Sequence, residues 1–284
     1  MKYLLQLSLL LATGLACAET SVWEVTGKNQ RLYIGGTIHV LSQRDYPLPD
    51  AYDRAYASSE HLVFETDLNQ IKASGFLVRL RQSLIYEDGN SLKDTLQPAT
   101  YRELERYCEQ SGIPITMLLP LKPPLASLML TVMEMKKIGI DNTGVDQYFN
   151  LQAQRDGKKI SQLETIEEQL QFLANMAKGH EDEFILSTLE ENRQLAELMQ
   201  SMLSAWRTGD INLLEEQFIK PMQQNFPSVY EQLLVSRNHN WLPLIEQYLS
   251  TPEVEFILVG ALHLVGNDGL IQQLENSGYR VKQW

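Results

Sequence analysis

Basic residues and cysteine are both scarce in this chain. Its 284 residues include 24 lysines and arginines against 36 aspartates and glutamates, a formal charge of −12, and two cysteines. Affinity for a phosphate backbone comes chiefly from clustered lysine and arginine, so this balance excludes nucleic acid as an expected partner. Only Cys108 lies outside the N-terminal segment described next, and a lone cysteine forms no intramolecular disulfide. The fold must therefore rest on an ordinary apolar core.

Apolar runs long enough to cross a bilayer, roughly 20 residues, are also missing. A shorter run, 4–15, follows Lys2 and leads into the small residues Ala16-Cys17-Ala18. This pattern is typical of a secretory signal peptide, so we expect cleavage after Ala18 and export to the periplasm or beyond. Loss of Lys2 would bring the formal charge from −12 to −13. Lipidation of Cys17 is the alternative, but the leucine before it lies one place too close for a lipoprotein box.

Linkers and low-complexity segments are absent as well, which favours one domain over residues 19–284. Two apolar runs, 31–36 and 254–260, read as buried strands. Each continues into a Gly-x-x-His pattern, at Gly36 to His39 and at Gly260 to His263. A helix and a further strand follow each pattern: helix 49–58 with strand 61–65, and helix 269–276 with strand 279–284. The chain therefore contains one strand, Gly-x-x-His, helix, strand unit twice, and we expect the two units to be neighbours or related by a pseudo-twofold.

A third strand, 159–163, is preceded by a helix, 145–155, and followed by the capping box Thr165 to Glu168. The segments 71–86, 98–110, 124–138 and 181–250 carry helical patterns with few strand signals. We therefore predict an α/β fold, with a central mixed or parallel sheet built from the two repeated units. A large helical cap, roughly 70–140 and 181–250, would surround that sheet.

The two histidines of the repeated pattern are the sharpest functional signal. A glycine at a strand end permits a close backbone approach to a ligand, and His39 and His263 would both project over the carboxyl ends of strands, where ligands collect in α/β sheets. A single such histidine is more often structural. Two copies at matching places favour a shared site, and such strand-end side chains should contribute little to the core.

Two glutamates stand at comparable strand ends. Glu65 follows three apolar strand residues, Leu62 to Phe64, so its carboxylate should be partly buried and needs a cation, a metal or hydrogen-bond donors nearby. Glu164 follows strand 159–163, although an acid at a helix start is also explained by the helix dipole.

His39, His263 and Glu65 form a three-ligand set that can hold a divalent ion and leave one position open for water. No H-E-x-x-H occurs, which excludes the common zincin arrangement. Among the remaining polar residues, Asp146 reads as a helix-start acid and nothing else, and His61 as a structural or solvated residue.

The ordered motifs of this chain resemble those of the TraB/GumN family, which includes the Tiki-type proteases. They run through almost the whole of residues 19–284, and the segments that carry them are 36–39, 46–49, 64–67, 144–146, 163–170, 237–241 and 260–270.

The resemblance implies a metal-dependent hydrolase, in the Tiki branch a protease that favours manganese or cobalt. The family's essential histidines and glutamate correspond to His39, His263 and Glu65, and its Arg-Asn pair to Arg237 and Asn238. Arg237 alone would read as a surface residue, whereas in a peptidase it would stabilise the developing oxyanion. Relatives often carry an acid just before the Arg-Asn pair, where this chain has Ser236.

Three functions compete. The first is an exported peptidase or related hydrolase that uses manganese, cobalt or zinc, with Glu164 as the residue to watch for a general base. The second is a non-catalytic protein that binds a peptide or a metal-bearing ligand in the same cleft. The third is an interaction protein without a small-molecule site, in which His39 and His263 would lie far apart. The separation of the two imidazoles discriminates the third from the others.

Overall fold

A computed structural model describes residues 20–28, 30–70, 74–87 and 89–284. The expected signal peptide lies outside these residues. In the described part of the chain, eight strands form one sheet of six strands and one of two. The strands are Val22–Thr26 (β1), Arg31–Thr37 (β2), Val40–Leu41 (β3), His61–Phe64 (β4), Asn142–Thr143 (β5), Lys159–Gln162 (β6), Glu255–Gly260 (β7) and Arg280–Gln283 (β8).

The large sheet has the order β6-β4-β7-β2-β1-β8. Strands β6, β4, β7 and β2 run parallel to one another, whereas β1 is antiparallel to both β2 and β8. Strands β2 and β7 lie at its centre and are apolar over almost their whole length, as expected for strands covered on both faces. The predicted α/β fold with a mixed sheet is confirmed. Strand β1 was not predicted from the sequence.

The two repeated units are neighbours in this sheet, as predicted. Strand β2 pairs with β7 in parallel, and Thr37 lies opposite Gly260. Each unit's second strand lies beyond the first strand of the other unit, since β4 pairs with β7 and β8 is separated from β2 by β1. The inserted β1 breaks the symmetry of the repeat. The two Gly-x-x-His segments nonetheless leave the sheet side by side.

Helices cover the sheet and extend away from it. Around the sheet they are Asp50–Ala57 (α1), Val145–Asp156 (α6), Ile166–Asn175 (α7), Ser236–Tyr248 (α13) and Leu270–Asn276 (α14); the others are Ser74–Leu84 (α2), Leu92–Thr95 (α3), Pro98–Ser111 (α4), Pro123–Lys137 (α5), Glu181–Arg193 (α8), Leu195–Thr208 (α9), Ile211–Leu214 (α10), Lys220–Asn225 (α11) and Pro227–Tyr230 (α12). The expected capping box is present at the start of α7, where Thr165 Oγ1 accepts from the backbone N–H of Glu168.

The apolar core has two main parts. The larger surrounds the sheet, and a separate cluster fills the space between α4, α5 and α8, with Leu104, Leu130 and Leu189 fully buried. Residues 92–130 and 185–189 of the predicted cap (70–140 and 181–250) therefore share a core of their own, whereas Trp206, Tyr230 and Trp241 pack into the core around the sheet. The single-domain assignment stays a prediction. Among the described residues, no helix has the length and apolar character of a membrane span.

A buried hydrogen-bond network fixes the first Gly-x-x-His segment to the helices. The Tyr52 hydroxyl donates to the carbonyl of Gly36, and the Trp206 indole N–H donates to the Tyr52 oxygen at 2.6 Å. Both side chains are completely buried. Through these hydrogen bonds, helices α1 and α9 hold in place the end of β2, which precedes His39.

We expect Tyr52→Phe to lower the free energy of unfolding by about 1–3 kcal/mol, because it leaves the buried Gly36 carbonyl with one donor fewer. Denaturant titration of the purified protein measures this. Tyr279→Phe, at a partly exposed tyrosine, serves as the control and should change stability little. Equal stability of the two variants would contradict the role of the network.

Candidate active site

Four of the predicted site residues meet at one edge of the large sheet. Strands β6, β4, β7 and β2 are parallel, so their carboxyl ends share this edge, which we call the carboxyl edge. Glu164, Glu65, His263 and His39 follow these strands in that order. The carboxyl ends of parallel strands are where α/β sheets bind ligands.

The absence of a side chain at Gly260 leaves the space into which the three predicted ligands converge. A Cβ added there would lie 3.2 Å from Glu65 Oε1, 3.6 Å from His263 Cδ2 and 3.9 Å from His39 Nε2. All three side chains are therefore within 4 Å of one point. The two imidazoles lie close together, which excludes the interaction-protein reading that required them far apart.

The orientation and protonation of His263 follow from its neighbour Asn238. The Asn238 amide nitrogen donates to the carbonyls of His263 and Asp268, at 3.1 and 2.8 Å, so its Oδ1 faces His263 Nδ1 at 2.7 Å and must accept from it. Burial lowers the pKa of His263 to about 3, which keeps the ring neutral. The Nε2 lone pair consequently faces the site.

His263 is more deeply buried than its position at a strand end suggests. It is 4% exposed, and its ring packs against Trp241 with the centroids 4.4 Å apart. The expectation that both strand-end histidines contribute little to the core is therefore wrong for His263, because helix α13 covers it. It remains reasonable for His39, whose side chain is 63% exposed.

His39 is oriented by Asp146, at the start of α6. Its Nδ1 lies 3.2 Å from Asp146 Oδ2, and this carboxylate raises the pKa of the imidazole. The close approach requires Gly144, because a Cβ there would lie 2.2 Å from the His39 backbone. The reading of Asp146 as a helix-start acid and nothing else is thus wrong, and the glycine two residues before it was the available signal.

The buried carboxylate of Glu65 contacts a cation, as its burial requires. Its Oε2 accepts from Arg237 Nη2 at 2.5 Å, its Oε1 accepts from the Gly260 N–H at 2.6 Å, and His263 Nε2 lies 3.9 Å from Oε1. Burial favours the neutral acid, but Arg237 outweighs it together with the other neighbours and lowers the pKa of Glu65 to about 2. The carboxylate is therefore ionised.

Arg237 lies at the centre of the site rather than at the surface where an isolated arginine would be expected. It is 9% exposed and stacks on Trp241, with the guanidinium carbon 4.6 Å from the ring centroid. Its Nε and Nη2 bind both oxygens of Glu164, at 3.0 and 2.7 Å. Its Nη1 donates to His263 Nε2 at 3.0 Å and to the carbonyl of Leu233 at 3.3 Å.

Together with the bond to Glu65, these contacts use all five N–H groups of the guanidinium. We call Arg237, Glu65, Glu164 and His263 the arginine cluster. A substrate oxygen would have to displace one existing acceptor before Arg237 could stabilise an oxyanion, so that role stays a prediction. In this structure Arg237 is a positioning residue.

Glu164 lies on the opposite side of the guanidinium from His263. Burial raises the pKa of its carboxyl group, against the influence of Arg237. Its backbone N–H donates to the carbonyl of Glu65 at 2.8 Å, which holds the two acids next to each other. Its part as a general base also stays a prediction.

A cleft of about 330 Å³ opens onto this edge. His39, Glu65 and Asp146 line it, whereas His263 lies behind its wall. Two of the three predicted ligands thus line the cleft, whereas the buried His263 does not.

The donor set fits a divalent cation. Each histidine has Nδ1 against an oxygen acceptor and presents Nε2 to the common space, the arrangement that usually orients metal-binding imidazoles. Glu65, Glu164 and Asp146 outnumber Arg237, so two negative charges remain when both imidazoles are neutral.

Three features of this conformation oppose an ion. Arg237 Nη1 already occupies His263 Nε2, and Asp146 raises the pKa of His39 to about 9, so an ion would have to displace a proton from that imidazole. The ligand atoms of His39, Glu65 and His263 also do not all lie within 4.8 Å of one another.

Another set of side chains has the closer spacing of metal ligands. Within the described ranges, the one group whose ligand atoms all lie within 4.8 Å of each other is His61, Glu253 and Glu255. It lies at the other end of the strands, so it is not the predicted site.

The comparisons with known proteins agree with the motif order. The model of the TraB/PrgY/gumN family matches residues 21–283. The chain is also similar to a protein named metalloprotease TIKI homolog from Nematostella vectensis, with 24% identity over 303 aligned residues that cover 88% of this chain and 64% of that protein. It thus spans less than two thirds of the relative's length. No solved structure matches it. Because the family match extends over nearly the whole described chain, the protein belongs to the TraB/PrgY/gumN family.

Proposed function

We propose that the protein is an exported, metal-dependent hydrolase that cleaves peptide bonds. The observation that carries the proposal is the convergence of His39, Glu65 and His263 on the space beside Gly260, at a cleft on the carboxyl edge. The name of the sea-anemone relative, a metalloprotease, supports the same chemistry.

In this proposal His39, His263 and Glu65 would hold a manganese, cobalt or zinc ion. Such an ion would polarise a carbonyl oxygen and lower the pKa of water towards neutrality. Asp146 and Asn238 keep the two imidazoles turned with Nε2 inward. Arg237 gives up His263 Nε2 and keeps the Leu233 carbonyl as an acceptor, while it continues to hold Glu65 and Glu164.

Glu164 is our proposed general base, and one of its oxygens would take the proton of the attacking water. For this it must release one of its two bonds to Arg237. The guanidinium of Arg237 would continue to stabilise the carboxylates of Glu65 and Glu164. The ring of Trp241 packs against the guanidinium and limits its movement. Asn238 acts through His263 and does not contact the reacting atoms.

The second candidate function is binding without turnover. The occupied N–H groups of Arg237 favour it, because they leave no free donor for an oxyanion in this conformation. A peptide library incubated with manganese, cobalt or zinc separates the two functions. Cleaved products support the hydrolase, whereas retained but intact peptides support the binding protein.

Loss of either histidine tests the proposed ligand set. We expect His39→Ala and His263→Ala to weaken binding of a divalent ion at the cleft by at least about tenfold, the scale on which metal sites respond even to changes around their ligands. Calorimetric titration with manganese measures the affinity. His39→Ala should leave the melting temperature almost unchanged because its ring is exposed, whereas His263→Ala should also lower it. Reduced melting temperatures with wild-type affinity in both variants would make the histidines structural.

Glu65→Gln keeps the shape of the side chain and removes its charge. We expect hydrolysis to fall by about 100-fold or more, because the ion would lose its one charged ligand and even residues that only support metal ligands are worth about 10–100-fold. Stability should fall only modestly, because Glu164 still neutralises Arg237. Glu167→Gln, at an exposed position on the same edge, is the matched control. Full hydrolysis and metal affinity in Glu65→Gln would remove Glu65 from the site.

Export predicts a mature protein that begins at Glu19. Intact-mass measurement of the protein recovered from the periplasm or the medium should give the mass of residues 19–284, and Cys17→Ser should not alter it. A membrane-bound form that begins at a lipid-modified Cys17, and that disappears in Cys17→Ser, would instead establish a lipoprotein.

A further inference from the structure

A second set of metal-ligating side chains lies at the amino ends of the parallel strands, which we call the amino edge. His61 opens β4, Glu255 opens β7 directly opposite it, and Glu253 precedes β7 by two residues. One ligand atom from each lies within 4.8 Å of the others. His61 is 1% exposed and Glu255 is completely buried, while Glu253 closes the set at the surface.

Two buried atoms of this set have no hydrogen-bond partner in the part of the chain that the structure describes. They are His61 Nδ1 and Glu255 Oε2. His61 Nδ1 lies 3.6 Å from Glu253 Oε2 and 3.8 Å from Glu255 Oε1, beyond the 2.7–3.2 Å of ordinary hydrogen bonds. Two ligands bound to one tetrahedral zinc at about 2.1 Å would lie about 3.4 Å apart. The distances from His61 Nδ1 to the two carboxylates are thus too long for hydrogen bonds. They are close to the distance between two ligands of one zinc ion.

The surrounding contacts orient both buried ligands. His61 Nε2 lies 2.8 Å from Ser161 Oγ, so an Nε2–H donated to this oxygen leaves the Nδ1 lone pair directed at the carboxylates. The Thr251 hydroxyl donates to Glu255 Oε1 at 2.8 Å. Metal sites commonly orient their ligands in this way, with a hydrogen bond from the second ring nitrogen of the histidine and a hydrogen bond to the ligating carboxylate.

The charges of the cluster are unbalanced. Among the described residues, Lys159 is the one lysine or arginine in contact with the triad, and it binds Glu253 Oε2 at 2.9 Å with its side chain 58% exposed. Within that part of the chain Glu255 therefore has no lysine or arginine beside it, and a buried uncompensated carboxylate is costly. A protonated His61 would compensate it best through a hydrogen bond from Nδ1, but neither carboxylate is near enough to accept one.

We propose that His61, Glu253 and Glu255 bind one zinc ion, which ties β4 and β7 together at the amino edge. One nitrogen and two carboxylate oxygens suit zinc, and the exposed side of Glu253 leaves a position for water. The exposed Lys159 releases Glu253 when the ion enters. This site lies at the opposite edge of the sheet from His39 and His263, and it is independent of the proposed hydrolase.

The test is the zinc content and thermal stability of the full mature chain. The protein is stripped with a chelator, reloaded with zinc, dialysed and assayed by atomic emission, alongside melting curves with and without zinc. Glu253→Gln and Glu255→Gln each remove one ligand charge, and Glu60→Gln, at an exposed acid on the same edge, is the matched control. Glu253→Gln alters a partly exposed side chain, so it tests the site even if Glu255→Gln fails to fold.

We expect the wild type and Glu60→Gln to retain one zinc ion more per chain than Glu253→Gln or Glu255→Gln. Zinc should also raise their melting temperatures by several degrees more than that of Glu253→Gln. His39→Ala should keep this ion. Equal zinc content in the wild type and Glu253→Gln would overturn the proposal, as would a zinc ion lost in His39→Ala but kept in Glu253→Gln. A wild type that retains no zinc would also overturn it.

Discussion

The buried guanidinium of Arg237 is the interaction on which the candidate site depends. It comes from α13, and it joins the ends of β4, β6 and β7 through Glu65, Glu164 and His263. Three side chains with buried polar atoms therefore share a single cation. Removal of the arginine from such a buried ion pair typically costs about 3–5 kcal/mol, since the carboxylates of Glu65 and Glu164 would stay in place without compensation. The position of α13 and the shape of the cleft wall are thus coupled.

The buried carboxylates at the two edges of the sheet have different kinds of partner. At the carboxyl edge, Glu65 and Glu164 meet an arginine that is itself buried and fully hydrogen-bonded. At the amino edge, Glu255 meets a histidine at a distance that makes no hydrogen bond. At the carboxyl edge every N–H of the Arg237 guanidinium has an acceptor, although Asp146 Oδ1 has no donor among the described residues and the edge keeps an excess of negative charge. At the amino edge His61 Nδ1 and Glu255 Oε2 lack a partner within the same part of the chain, and buried polar atoms without one are uncommon in folded proteins.

The sequence predicted those parts of the structure that depend on local pattern. Apolar runs that end in glycine gave β2 and β7, and the repeated Gly-x-x-His placed His39 and His263 at one edge. The burial of Glu65 followed from the three apolar residues before it, Leu62 to Phe64. Asp146 and the central position of Arg237 were missed, because α6 and α13 reach the site by tertiary packing that local pattern does not encode. Strand β1 was missed for a similar reason, since both of its partners are needed to define it, and one of them lies at the C-terminus.

The order of strands in the sheet also determines when the protein can fold during its synthesis. Strand β7 lies between β4 and β2, yet it is near the end of the chain, and β1 is paired on one side by β8. The sheet and the apolar core around it cannot close until β7 and β8 have been synthesised. Strands β2 and β4, which β7 separates in the finished sheet, therefore keep unpaired edges until that point in synthesis.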